Sequence, residues 1–133
     1  MSRVLFVCVG NQGRSVMAER LFRRLASERH EARSAGSSPG SVVHPRVLEA
    51  LAEIGIDARD HVPHRLNDDD VDWADVVVAT CLDACPVVPG KRYLSWELPD
   101  PKNQPLEEVR AIRDETARRV HELAAALNER ELP

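Results

Sequence analysis

The amino-acid sequence predicts an α/β fold: a single three-layer domain in which a four-stranded parallel sheet is flanked by helices. Three features of the chain predict it. Short apolar runs alternate with amphipathic helical stretches, the pattern of a mostly parallel sheet with right-handed crossovers. The first of these runs, Arg3 to Cys8 (RVLFVC), is rich in β-branched residues and apolar from Val4 onward, as expected of a strand buried on both faces. The length of 133 residues, 43% hydrophobic and 30% charged, suits one core and one domain spanning residues 1–133.

Each element follows from local pattern. After the first strand comes a polar segment with glycines, Gly10-Asn11-Gln12-Gly13, and a helix is predicted from near Ser15. Met17, Ala18, Leu21, Phe22 and Leu25 recur at helical spacing and form its inner face. A second strand at Glu31 to Ser34 ends in Ala35-Gly36 and a loop rich in Ser, Pro and Gly. Pro45 suits the first position of a second helix, with Val47, Leu48, Leu51 and Ile54 inward and a stop near Gly55. Asp68-Asp69-Asp70 reads as a solvated helix start. Ala74 to Thr80 reads as a third strand ending at Cys81, and Tyr93 to Leu98 as a fourth. Glu107 to Leu127 reads as a long helix with Val109, Ile112, Thr116, Val120, Leu123 and Leu127 inward. The order is strand, helix, strand, helix, strand, loop, strand, helix.

Composition narrows the function. Eighteen Lys and Arg against twenty-two Asp and Glu give a net charge of −4, which argues against binding nucleic acid or an anionic membrane. The apolar run Val4 to Val9 is too short for a signal-peptide core or a membrane span, so a cytoplasmic location is expected. Three cysteines do not make a secreted disulfide scaffold, and in a reducing compartment they are available as nucleophiles or redox partners. Neither a metal nor a cofactor is expected. Cys81 and Cys85 lack the second ligand pair of a closed zinc site. His30, His44, His61, His64 and His121 show no metal-ligand spacing and no catalytic partner, so each is assigned to the surface or to packing.

The chemistry concentrates in Cys8-Val9-Gly10-Asn11-Gln12-Gly13-Arg14-Ser15. A cysteine and an arginine six positions apart say little alone. Here the cysteine ends a strand and the arginine and serine open a helix, at the sheet edge where open α/β folds bind ligands. Backbone N–H groups of a tightly curled loop, Val9 to Ser15, form an anion-binding nest, and the helix start adds its positive end. Arg14 suits a bidentate clamp on a tetrahedral oxyanion. The same positive field favours the thiolate of Cys8, the nucleophilic form. Ser15 is placed to donate to that thiolate, and Asn11 to hold the loop in shape. Cys81 ends the third strand, at the same sheet edge as Cys8. Cys85 follows at i+4, which in a helical turn leaves the two about 5–6 Å apart, within disulfide range.

The chain resembles the superfamily of low-molecular-weight protein tyrosine phosphatases and the arsenate reductases that share their fold. The resemblance runs through VLFVCVGNQGRSVMAE, RSAGSSPG, HPRVLEALAEIGID, ADVVVATC, LPDP and VRAIRDETARRVHEL. It implies a low-molecular-weight phosphatase-like fold, with Cys8 as nucleophile, Arg14 as clamp and Asp100, before Pro101, as general acid. Redox-active reductases of this type carry a cysteine pair in the region of Cys81 and Cys85, with proline after the second, as in Cys85-Pro86. The resemblance therefore implies arsenate reduction through a thiol relay, with a thioredoxin-like protein or a low-molecular-weight thiol as electron donor. Departures are visible. The segment between the two thiols is shorter than usual. Positions that in some reductases help bind potassium are replaced around His61-Val62-Pro63-His64. Val16 stands where reductases usually carry glutamine and phosphatases proline. Lys102 stands where phosphatases usually carry tyrosine, and the loop from Ser34 to His44 has no aromatic residue, which favours a small inorganic anion such as arsenate or phosphate. The alternatives are a tyrosine or aryl phosphatase, with or without the reductase activity, and a non-catalytic oxyanion-binding or thiol-sensing module.

Overall fold

The alternating apolar runs become four parallel strands. The computed structural model of the chain describes residues 1–81 and 91–131. Strands β1 (Arg3–Cys8), β2 (Glu31–Gly36), β3 (Val76–Ala79) and β4 (Arg92–Ser95) stand in the order β2-β1-β3-β4. All three pairings are parallel, so β1 and β3 are central and their carboxyl ends share one edge. Helices α1 (Arg14–Ala26), α2 (Pro45–Ala52), α3 (Asp68–Trp73) and α4 (Leu106–Glu131) cover the sheet.

Because side chains alternate along a strand, β1 supplies both faces of the core. Val4 and Phe6 join the larger cluster with Met17 and Phe22 of α1, Val47 and Leu51 of α2, and Val109, Val120 and Leu127 of α4. Leu5 and Val7 join a smaller one with Val77, Ala74, Val71 and Trp73 on the α3 side. Phe6 meets the edge of Phe22 at 5.7 Å and lies tilted against Trp96 at 5.8 Å. A fully buried side chain of this kind contributes about 1.5–3 kcal/mol. The inward positions expected of the last helix are all buried.

Several expectations need correction. Leu25, in register with the expected inner face of α1, is 43% exposed, and Ala26 takes the buried position in that turn instead. The fourth strand ends at Ser95; Trp96 still donates its N–H to the carbonyl of Ala79 at 2.7 Å and packs its ring on Phe6. The acidic run opens α3, a helix absent from the expected order. Asp68 and Asp69 are solvated, but Asp70 is buried. Its carboxylate accepts from the Asn67 N–H at 3.3 Å and from His64 Nε2 at 2.7 Å, while the Asn67 side chain accepts from the Asp70 N–H at 2.8 Å. A reciprocal capping box plus an outside donor makes burial of that carboxylate tolerable.

Candidate active site

The central strand β1 delivers Cys8, almost fully buried, to the start of a tight loop. The chain reverses at Asn11, whose φ of 51° lies in the left-handed region that asparagine tolerates better than most residues. That reversal brings the Asn11 N–H to 3.1 Å from Cys8 Sγ. Helix α1 then begins at Arg14, and its first turn sets Ser15 Oγ 2.9 Å from the same sulfur.

The hydrogens in this cluster can be assigned from chemistry alone. Asn11 Oδ1 lies 2.9 Å from the backbone N–H of His64, which can only donate, so the carbonyl end of the amide faces it. His61 Nε2 lies 2.9 Å from the same oxygen and must also carry its hydrogen. The amide nitrogen then donates to Ser15 Oγ at 2.8 Å and to Ser34 Oγ at 3.1 Å. Ser34 passes its hydrogen to Glu19 Oε1 at 2.5 Å. Ser15, already accepting from Asn11, has its single hydrogen left for Cys8 Sγ. The sulfur thus receives two hydrogen bonds, one from the Asn11 N–H and one from the Ser15 hydroxyl.

Behind this chain, Glu19 is buried and paired with Arg23 Nε at 3.1 Å. Burial holds the His61 imidazole below its ordinary range, with the charge of Glu19 opposing that shift. Potassium does not fit here: both acceptor directions of Asn11 Oδ1 are taken by N–H donors, one of them the His61 side chain.

In front of the sulfur lies a cavity of about 240 Å³. Cys8, Val9, Gly10, Gln12, Gly13 and Arg14 line it from the loop side. Ser38, His44, Asp100 and Lys102 close the rim. Arg14 is held in place by the carbonyl of Leu98, at 3.2 Å from Nη1, while its Nη2 stands 3.9 Å from Asp100 Oδ2. Asp100 is held in turn by the Lys102 N–H on Oδ1 at 2.9 Å, and more than half of its side chain remains in solvent. Gly13 permits the approach of the two segments, since a Cβ there would stand 2.6 Å from Pro101 Cγ. Burial pushes the His44 imidazole below its ordinary range, against an opposing attraction from Asp100.

Of the residues singled out in sequence, Cys8 to Ser15 and Asp100 therefore meet at one site. Cys81 lies just beyond the end of β3, buried and disulfide-bonded, while Cys8 carries a free thiol. Cys85 lies outside the described residues. A surface or packing role is expected for His44, His61 and His64, and the structure corrects it for two of them: His44 is on the rim and the His61 side chain bonds Asn11, whereas His64 meets Asn11 only through its backbone N–H and turns its imidazole to Asp70. Glu19 and Ser34 were not singled out at all. The helical pattern assigns the glutamates of α1 to its outer face, and the structure corrects this for Glu19, which is buried. Among the described residues, no group of three or more His, Cys, Asp or Glu is placed to hold a metal, and no helix is long and apolar enough to cross a membrane.

Known proteins are similar to this chain over most of its length. An arsenate reductase of Staphylococcus haemolyticus is 32% identical over 128 residues, covering 93% of this chain and 96% of that one. The structure of a thioredoxin-dependent arsenate reductase from Corynebacterium glutamicum superposes with a TM-score of 0.84 at 39% identity, over 98% of this chain; the chain spans 64% of that longer protein. An arginine phosphatase from Geobacillus stearothermophilus superposes with a TM-score of 0.87 at 30% identity, over 98% of this chain and 96% of that one. The model of the family described as low molecular weight phosphotyrosine protein phosphatase matches residues 3–132, nearly end to end, and the chain belongs to that family.

Proposed function

We propose that this protein is an arsenate reductase that draws its electrons from thiols. The observation that carries the reading is the Cys8 pocket: a sulfur with two donors, an arginine and a carboxyl at its mouth, and no Phe, Tyr or Trp among the described residues that line it. Trp96, near Asp100 in sequence, is in the core instead. A pocket walled this way suits a bare tetrahedral oxyanion better than a phosphorylated ring.

In this reading the Cys8 thiolate attacks arsenic(V), held by Arg14 and the loop N–H groups, and Asp100 gives its proton to the departing oxygen, which leaves as water. The Cys81 thiolate then attacks Cys8 Sγ. The S–S bond forms as the S–As bond breaks, its electron pair stays on arsenic, and arsenite leaves as arsenic(III). Cys85 attacks Cys81 and frees Cys8, and a thioredoxin-like protein or a small thiol reduces the Cys81–Cys85 disulfide. A free Cys8 beside a disulfide-bonded Cys81 is the state that follows the last internal step. The reading needs a reducing compartment, which favours the cytoplasm. The relatives that are arsenate reductases support it.

Phosphatase activity is the second reading, because hydrolysis of a phosphate ester needs only Cys8, Arg14, Asp100 and water. The deciding experiment measures arsenate-dependent oxidation of thioredoxin and hydrolysis of a small aryl phosphate on one preparation. Arsenate-dependent oxidation is expected. Efficient phosphate-ester hydrolysis with no arsenate-dependent oxidation by any thiol donor would make the chain a phosphatase.

A further inference from the structure

His44 occupies the N-cap position of α2, where side chains of Ser, Thr, Asp or Asn usually bond the first free N–H groups. Its side chain does not cap the helix. The imidazole lines the Cys8 pocket instead, and makes no hydrogen bond among the described residues. Its backbone is tied to the loop, the His44 N–H donating to the carbonyl of Gln12 at 3.0 Å, which holds the residue beside the site. Around it are Cys8 from β1, Arg14 from α1, and Asp100 and Lys102 from the segment after β4. Arg46, next along α2, is turned away to the carbonyl of Gln104.

We propose that His44 is an anion-binding residue that takes up a proton when a tetrahedral dianion enters the pocket, placing a second positive group opposite Arg14. Burial, and more weakly Lys102, disfavour the imidazolium, while Asp100 favours it. A dianion on the loop reverses that balance, because two added negative charges outweigh Lys102 at short range in a partly desolvated site. Protonation then leaves the ring with two N–H donors, and the unpartnered edge gains an acceptor in the outer oxygens of the anion. The inference rests on the pocket being an oxyanion site and adds a proton to the binding reaction there.

Sulfate is the suitable probe, since it remains a dianion across neutral pH while phosphate and arsenate titrate. The protein carries Cys8→Ser so that the thiol does not titrate either. Calorimetric titrations with sulfate, in two buffers of different ionisation heat at about pH 7, count the protons taken up per anion. Uptake of a substantial fraction of one proton is expected, with affinity weakening roughly tenfold per pH unit above the range where His44 titrates. Adding His44→Asn, which restores a good N-cap and so keeps the fold, is expected to abolish that uptake and flatten the pH profile. His44→Gln is expected to do the same. His61 and His64 are present in every variant, so their contribution cancels. Unchanged proton uptake in both His44 variants, or sulfate binding without uptake in the parent, overturns the role of His44 and leaves the anion site standing. Absence of sulfate binding at every pH overturns both.

Discussion

Asp100 sits over the pocket rather than in it. One carboxylate oxygen is fixed by the Lys102 N–H in its own turn, and the other looks toward Arg14 across 3.9 Å. Asparagine at this position keeps an acceptor for the Lys102 N–H and loses only the proton. Asp100→Asn is therefore expected to slow chemistry by roughly 10²–10⁴-fold while leaving anion affinity nearly unchanged. Single-turnover rates with an aryl phosphate of poor leaving group, together with the inhibition constant for phosphate, check both halves. An unaltered rate with that substrate would remove Asp100 from the role of acid.

At the scale of elements, the rim of the pocket depends on how α2 is clamped. Arg113 of α4 reaches across to donate to the carbonyl of Ala50 at 2.8 Å and to Glu53 at 2.9 Å, and Arg110 donates to the same carboxylate. These hydrogen bonds, with Arg110 foremost, hold the Glu53 carboxyl below its ordinary value of 4.5. A carboxyl whose folded-state value is depressed stabilises the fold at pH above its unfolded value, and that contribution disappears as pH falls through the folded one. Below about pH 4.5, then, the clasp between α2 and α4 is expected to weaken. Thermal melting between neutral and acid pH should show a shallower acid loss in Glu53→Gln than in the parent. The exposure of the carboxylate to solvent keeps the difference small.

At the scale of the whole molecule, parallel pairing gathers at one edge residues that are far apart in sequence. Cys8 ends β1, Cys81 follows the adjacent β3, and Asp100 follows β4. Thr80 N and Oγ1 both bond the carbonyl of Val7, at 2.9 and 3.0 Å, so the segment leading to Cys81 is fastened beside the strand that carries Cys8. In the relay reading, Cys85→Ser is expected to permit one turnover with arsenate and then stop with a Cys8–Cys81 disulfide. Peptide mass mapping checks this, and a variant that keeps turning over with thioredoxin would exclude Cys85 as the resolving thiol. The strands and the Cys8–Arg14 loop were legible in the sequence because each depends on residues adjacent in the chain. Asp100 was legible only through family resemblance, since a lone Asp-Pro reads as a turn. His44 and His61 were misread because their environments are made by elements distant in sequence, the Cys8 loop and Asp100 for one and Asn11 for the other, and residue type does not record which neighbour arrives. Asp70 was misread for a local reason: its capping box with Asn67 and the bond from His64 bury a carboxylate that an acidic run alone suggests is solvated.

Asn11 lends this site a property that its outline does not display. Every donor and acceptor position of its amide is occupied, and the direction of those bonds decides where the hydrogen of Ser15 points. Amide and carboxylate are nearly superimposable, so an aspartate at position 11 would trace the same loop with the same spacing from cysteine to arginine. Its oxygens would accept where the amide nitrogen now donates, and the serine hydrogen would turn from the sulfur toward them. Two such loops would be indistinguishable in backbone and unequal in reactivity. A signature written only as Cys, five residues, Arg describes the mould of this site and leaves out its polarity.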